Sequence, residues 1–194
     1  MAKYQLRPKI LVITEGYTER NYFNKFRERD TDYEVIVRKS PDNTAKKIFR
    51  FCVQMIKELG LDLKNGDSAY CVFDADYTKE EILNNLLKES KAKGIHIILS
   101  KPCFEVFYIL HFNGDIDSLA IPKDVKKEIS NFIPEYSEST DYWEKLLPKQ
   151  SNAVRLSRRF VLGDTIDLKR CCNGSNIYEF FDEIERRKSS RKAE

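Results

Sequence analysis

Four acidic residues stand where chain geometry lets them share one spot. Asp74 and Asp76 close the run Ala69-Tyr-Cys-Val-Phe-Asp-Ala-Asp76. A mostly apolar run rich in valine and aromatics reads as a strand buried on both faces. Residues two apart on an extended chain point the same way, so both carboxylates can face one place. Glu15 follows another apolar run, Lys9-Ile-Leu-Val-Ile-Thr14, and Glu19 stands four residues further on. Oxygen donors with no histidine or thiol beside them suit a hard cation, magnesium or manganese, rather than zinc. Crowded carboxylates repel, and a cation relieves the repulsion. Such a cation can position phosphates, lower the pKa of bound water and stabilise developing charge. Alone, Asp-x-Asp also fits a solvated turn, where Asp is common.

The elements that must position these acids alternate. After the strand Lys9–Thr14, Gly16 permits a sharp turn. Tyr22, Phe23 and Phe26 then have helical spacing within 18–29. Tyr33–Arg38 reads as a strand, and Ile48, Phe49, Cys52, Val53, Ile56 and Leu59 as the stripe of a helix. The Asp74 strand comes next, then a helix over 79–93 closed by Gly94, and the strand Ile95–Leu99. Ser100-Lys-Pro-Cys-Phe-Glu105 breaks that strand, with Pro102 suited to the first turn of a helix continuing to Phe112. This alternation predicts an α/β fold with a mainly parallel sheet flanked by helices. Right-handed crossovers place all strand carboxyl ends on one edge, and ligands of such sheets bind there. After Asn113 the pattern changes to helices near 123–133, 141–147, 152–161 and 176–187, with no strand among them. The expected division is a catalytic core over 8–112 and a helical C-terminal extension over 113–194, packed together and ending in a frayed tail from Arg186.

Composition narrows the class. The chain has 194 residues, 41% hydrophobic and 34% charged, with net charge +3. That predicts one globular unit with a heavily charged surface and permits local basic patches. No apolar run reaches bilayer length, and the N-terminus carries no signal-peptide apolar region, so a cytoplasmic protein without a membrane partner is expected. The five cysteines lack a second pair or adjacent histidine for zinc and read as reduced thiols. His96 and His111 read as packing histidines rather than ligands.

Glu15-Gly-x-Thr-Glu19 after one strand and Asp74-x-Asp76 after another resemble the Toprim domain of topoisomerases, bacterial primases and overcoming-lysogenization-defect nucleases. The likeness is closer to the RloB-like proteins, a Toprim-like family found beside restriction-modification and phage-defence genes. It rests on Ile13–Phe23, Val72–Asp76, Ser100–Phe112 with Lys101 where Asn is usual, and Asn173–Phe181. The resemblance implies a Toprim-like, Rossmann-like core acting as a metal-dependent nuclease on DNA or RNA in abortive infection. It makes Glu15 a metal ligand or general base, Asp74 and Asp76 the metal pair, and Glu19 and Glu105 further catalytic candidates. Glu105 also reads as a first-turn acid favoured by the helix dipole. The family context implies a partner ATPase of the ABC/AAA type, encoded nearby; further copies of the chain as partners are left open.

Lys101, Arg155, Arg158 and Arg159 are candidates for contacting nucleic acid, the three arginines having helical spacing for one face; a solvated surface is the plainer reading. Lys145, Lys149, Lys169 and Arg170 could extend that surface, and Tyr142 and Trp143 could stack on bases or lie in the core. Two other classes fit the central motif. Phe73–Thr78 resembles the signature of haloacid-dehalogenase-like phosphatases, with Asp74 as nucleophile, Asp76 as acid/base, and Ser100 and Gly163-Asp164 imitating later motifs. Tyr77 displaces the usual threonine there, and Glu15 and Glu19 are left without a role. A non-catalytic Toprim-like module docking on an ATPase is the third class.

Overall fold

A computed structural model of the chain describes residues 7–28, 31–76 and 78–191, with residues 190 and 191 described by their backbone alone. The strands are β1 (Lys9–Thr14), β2 (Glu34–Lys39), β3 (Ser68–Asp74), β4 (His96–Lys101) and β5 (Gly174–Ser175). The helices of the first half are α1 (Tyr17–Phe23), α2 (Ala45–Glu58), α3 (Glu80–Lys93) and α4 (Glu105–His111). Those of the second half are α5 (Pro122–Phe132), α6 (Trp143–Leu146), α7 (Gln150–Ser157) and α8 (Tyr178–Arg191). The sheet order is β2-β1-β3-β4-β5. The first four strands are parallel and β5 is antiparallel to β4.

The two-residue period of the strands splits the core. Ile10, Val12, Tyr70, Val72 and Ile98 face one layer, where they meet Phe23, Phe107, Ile129 and Phe180 from α1, α4, α5 and α8. Leu11, Ile13, Cys71, Phe73, Ile97 and Leu99 face the other, against Ile48 and Phe49 of α2 and Leu83 and Leu86 of α3. The C-terminal helices therefore complete one face of the sheet rather than forming a core of their own.

The structure departs from expectation in several places. The second half does contain a strand. Its short β5 pairs Ser175 with Ser100 and Gly174 with Lys101. A side chain on Gly174 would put a Cβ 2.7 Å from the Phe160 Cβ, so only glycine lets the two backbones approach. Asn176 then continues the ladder with its side chain: Oδ1 accepts the Leu99 N–H at 2.7 Å and Nδ2 donates to the Ile97 carbonyl at 2.8 Å. β4 consequently runs through Ser100 and Lys101. Pro102 follows a cis peptide bond and lies before α4, which begins at Glu105. The helix after β1 ends at Phe23 and continues only as a 3-10 turn over Asn24–Phe26; Arg29, expected to close it, lies outside the described residues, as does Tyr77. The tail expected to fray from Arg186 is helical to Arg191, because Arg187 donates to Glu183 and to the Gly66 carbonyl. Among the described residues no helix is long and apolar enough to cross a membrane.

Cys52, Cys71 and Cys103 are buried free thiols, Cys171 is half-buried and Cys172 exposed. His96 is exposed and stacks on Tyr70, and His111 is buried among aromatic rings.

Candidate functional site

The parallel register brings the ends of β1, β3 and β4 together: Thr14 pairs with Val72, and Asp74 with Ser100. Beyond these ends lies a cavity of about 200 Å³. Among the described residues Glu15, Glu19, Asp74, Asp76, Glu105 and Glu138 contribute six carboxylates to its wall, and Lys126 the one cation.

Each acid is positioned by a different local device. Glu15 leaves β1 and turns its Oε2 onto the Asp74 N–H, 3.1 Å away. Glu19 is buried in the first turn of α1. A Cβ on Gly16 would come within 2.7 Å of Glu19 Oε2, so the absent side chain makes room for the carboxylate against the backbone. Asp74 is the last residue of β3, and its Oδ1 is buried without a hydrogen-bond partner. Asp76, two residues past the strand, is half-buried. Glu105 begins α4 and is buried; its Oε1 accepts the Tyr136 hydroxyl at 2.8 Å and the Thr18 hydroxyl at 3.2 Å.

Burial and mutual repulsion favour the protonated forms. Glu15 rises to about 7, mainly by burial and further by Asp76, against the Asp74 N–H and Lys39. Glu19 rises to about 8 for the same first reason, with its own N–H opposing and Glu105 and Glu15 adding. Asp74 is pushed well above the carboxylate range by burial and then by Glu19, Glu105, Glu15 and Asp76. Asp76 is raised by burial, against the Lys126 charge. An oxygen sealed from water with no partner costs about 1–3 kcal/mol, more if charged. Such a site holds stored repulsion that a cation would release.

Among the described residues no three His, Cys, Asp or Glu side chains are already arranged around a metal position. The donor chemistry nevertheless fits a hard divalent ion. Every candidate donor is a carboxylate oxygen, and Asp74 offers a buried one that nothing else uses.

Glu15, Glu19, Asp74, Asp76 and Glu105 are thus brought together. The basic candidates are not. Lys101 Nζ donates to the Leu168 and Cys171 carbonyls, at 2.7 and 2.6 Å, and so pins the loop before β5. Arg158 is paired with Asp182 and Arg159 with Asp117. Arg155 donates to Asn152 on its own helix. Tyr142 stacks on Tyr136, and Trp143 packs edge-on against Tyr22 and Phe26. Asp164 is fully exposed, pairs with Lys91 and does not line the cavity. Ser100 is buried and bonded to Ser175.

Three polar residues of the cavity wall, Thr18, Lys126 and Glu138, escaped sequence reasoning, as did Tyr136, which bonds Glu105 from the adjoining cleft. Thr18 lies inside the Glu15-Gly-x-Thr-Glu19 motif, a signal available but not used. Lys126 comes from α5, and Tyr136 and Glu138 from the turn segment between α5 and α6, where nothing in local spacing sets them apart from other surface residues.

The model of the family described as RloB-like protein matches residues 10–184. No curated protein and no solved structure matches the chain significantly. The matched span takes in both the acids of the sheet edge and the Asn173–Asn176 segment that closes β4. The chain belongs to the RloB-like family.

Proposed function

We propose that the protein is a metal-dependent nuclease with a Toprim-like core, serving as the effector of an anti-phage, abortive-infection system under an ABC/AAA-type ATPase. The observation that carries the chemistry is the cluster of raised, buried carboxylates at the sheet's carboxyl edge, with Asp74 Oδ1 unpartnered. The defence role and the ATPase partner rest on the family context alone.

Asp74, Asp76 and Glu15 would hold magnesium or manganese. The bound ion would supply charge neutralisation at the phosphate and a water acidic enough to attack it. In the metal-free protein Glu15 is raised to about 7, so taking up the ion near neutral pH would release its proton. Thr18 and Tyr136 fix Glu105 and keep it on the cavity wall. Lys126, held by Glu138 at 2.5 Å, places a positive charge beside Asp76 where a phosphate would enter.

The test is cleavage of DNA and RNA with magnesium or manganese, alone and with the neighbouring ATPase. Asp74→Asn and Glu15→Gln should each lower cleavage at least about 10²–10³-fold, the scale of losing one preorganised electrostatic contact. Wild-type rates in both variants would move the site elsewhere. Hydrolysis of small phosphate esters without nucleic-acid cleavage would replace this reading with a phosphatase.

A further inference from the structure

Next to the acidic cavity is a side chain that the fold does not explain. Tyr17, immediately after Gly16, is 50% exposed, one of few large hydrophobic side chains left in water among the described residues. It buries too little to contribute much to the core. Two cations lie over its ring: Lys39 Nζ at 5.2 Å from the centroid and Arg20 Cζ at 5.5 Å. Neither cation forms a close ion pair among the described residues, in contrast to Arg158 and Arg159; Lys39 Nζ donates to the Ser40 carbonyl at 3.1 Å. Lys39 also bears on Glu15, so its charge joins the aromatic to the acids.

Tyr17 lines a broad cleft of about 480 Å³ with Tyr136, Ser137 and Ser139. Lys126 and Glu138 line both this cleft and the acidic cavity, so the two adjoin across that ion pair. An exposed ring flanked by these cations has the chemistry that binds single strands: a base stacks on the aromatic while its phosphates meet the cations. A paired duplex hides both faces of every internal base and offers the ring nothing to stack on.

We propose that Tyr17, with Arg20 and Lys39, is a stacking platform for single-stranded nucleic acid, holding a base beside the phosphodiester at the acidic cavity. Its placement beside the reacting bond rests on the nuclease reading; the platform itself does not.

The experiment is fluorescence anisotropy of a labelled oligothymidylate of about 12 nucleotides, a length such grooves cover. A blunt hairpin duplex is titrated in parallel. Both are measured on full-length Asp74→Asn protein, so that no strand is cut, with and without Tyr17→Ala. Loss of one base stack should weaken single-strand binding about tenfold or more. Tyr17→Phe should retain it, and hairpin binding should not respond. Arg20→Ala and Lys39→Ala should each flatten the salt dependence, by roughly 0.7 in log–log slope for each phosphate no longer neutralised.

Unchanged binding after Tyr17→Ala leaves the ring to a protein contact and overturns the platform. An equal loss on the hairpin also overturns it, as does a wild-type protein that binds no strand. The two readings fail separately. Unchanged Tyr17→Ala binding with cleavage abolished by Asp74→Asn removes only the platform. Tyr17-dependent binding by a protein that cleaves nothing removes only the nuclease.

Discussion

The two ends of β3 meet half-buried acids treated in opposite ways. At its start, Glu183 of α8 accepts the Ser68 hydroxyl at 2.9 Å and Arg187 Nε at 2.7 Å. Arg186 holds the other carboxylate oxygen at 2.6 Å. Burial alone would raise Glu183, but Arg186, Arg187 and Ser68 outweigh it and hold the carboxyl below its ordinary range. At the other end of the same seven-residue strand, half-buried Asp74 lies among acids with its Oδ1 sealed and unpartnered. A fold selected for stability alone would treat both ends as it treats the first. The difference teaches where free energy has been withheld: the paired end ties α8 to the sheet, and the unpaired end is left for something that arrives later.

The largest consequence is an opposed pH dependence in metal-free protein. The raised acids bind protons more tightly folded than unfolded. Their contribution is therefore full below the ordinary value of 4.5 and is lost as pH rises through about 7 for Glu15 and about 8 for Glu19. At about 1.4 kcal/mol per pH unit, Glu15 alone is worth on the order of 3 kcal/mol over that window. Glu183 has the opposite sign. Its contribution is present above the unfolded value and is lost as pH falls below it. Denaturant unfolding with a chelator should thus show falling stability from pH 5 to 8, with a flatter profile under saturating magnesium. A flat metal-free profile would mean that the acids are solvated and the two strand ends alike.

The next effect belongs to the paired end. Glu183→Ala leaves the Arg187 charge, on a side chain only 8% exposed, without a carboxylate and with only the Gly66 carbonyl and Ser68 hydroxyl to bond. It should cost on the order of 3 kcal/mol, the low end for breaking a buried pair. Replacing both partners by apolar residues should recover most of that loss. Cleavage should survive in either protein once folded. A Glu183 change that abolished cleavage without unfolding the chain would break the distinction between a structural and a functional end.

Much of the acidic end was legible because its logic is local. β1 matches its predicted limits, Lys9–Thr14, since an apolar run buried on both faces leaves little choice. Glu15, Glu19, Asp74 and Asp76 were visible as acids placed just after such runs. What stayed hidden depends on partners distant in sequence. Asn176 completes the β4 edge from 77 residues away. A two-residue strand such as β5 has no period to detect. The basic candidates show the same limit from the other side: helical spacing placed Arg155, Arg158 and Arg159 near one another, but only tertiary structure shows two of them neutralised by Asp117 and Asp182. Lys126 of α5 reaches the cavity, and Tyr136 of the turn after α5 reaches Glu105, through tertiary packing that no spacing rule announces.

The smallest effect is the most discriminating, because its sign changes. Asp74→Asn keeps the side chain's size, can no longer ionise among the neighbouring acids, and adds amide donors that neighbouring carboxylates can accept. Without metal it should therefore stabilise the protein, by about 1 kcal/mol, the scale of one net hydrogen bond. With magnesium present the order should reverse, because ligand binding stabilises the native state in proportion to its affinity and the variant has lost a ligand. Thermal melts of both proteins, with chelator and with magnesium, should cross. An ordinary buried aspartate held by the fold would give destabilisation under both conditions, and Asp74 would then belong with Glu183 rather than opposite it.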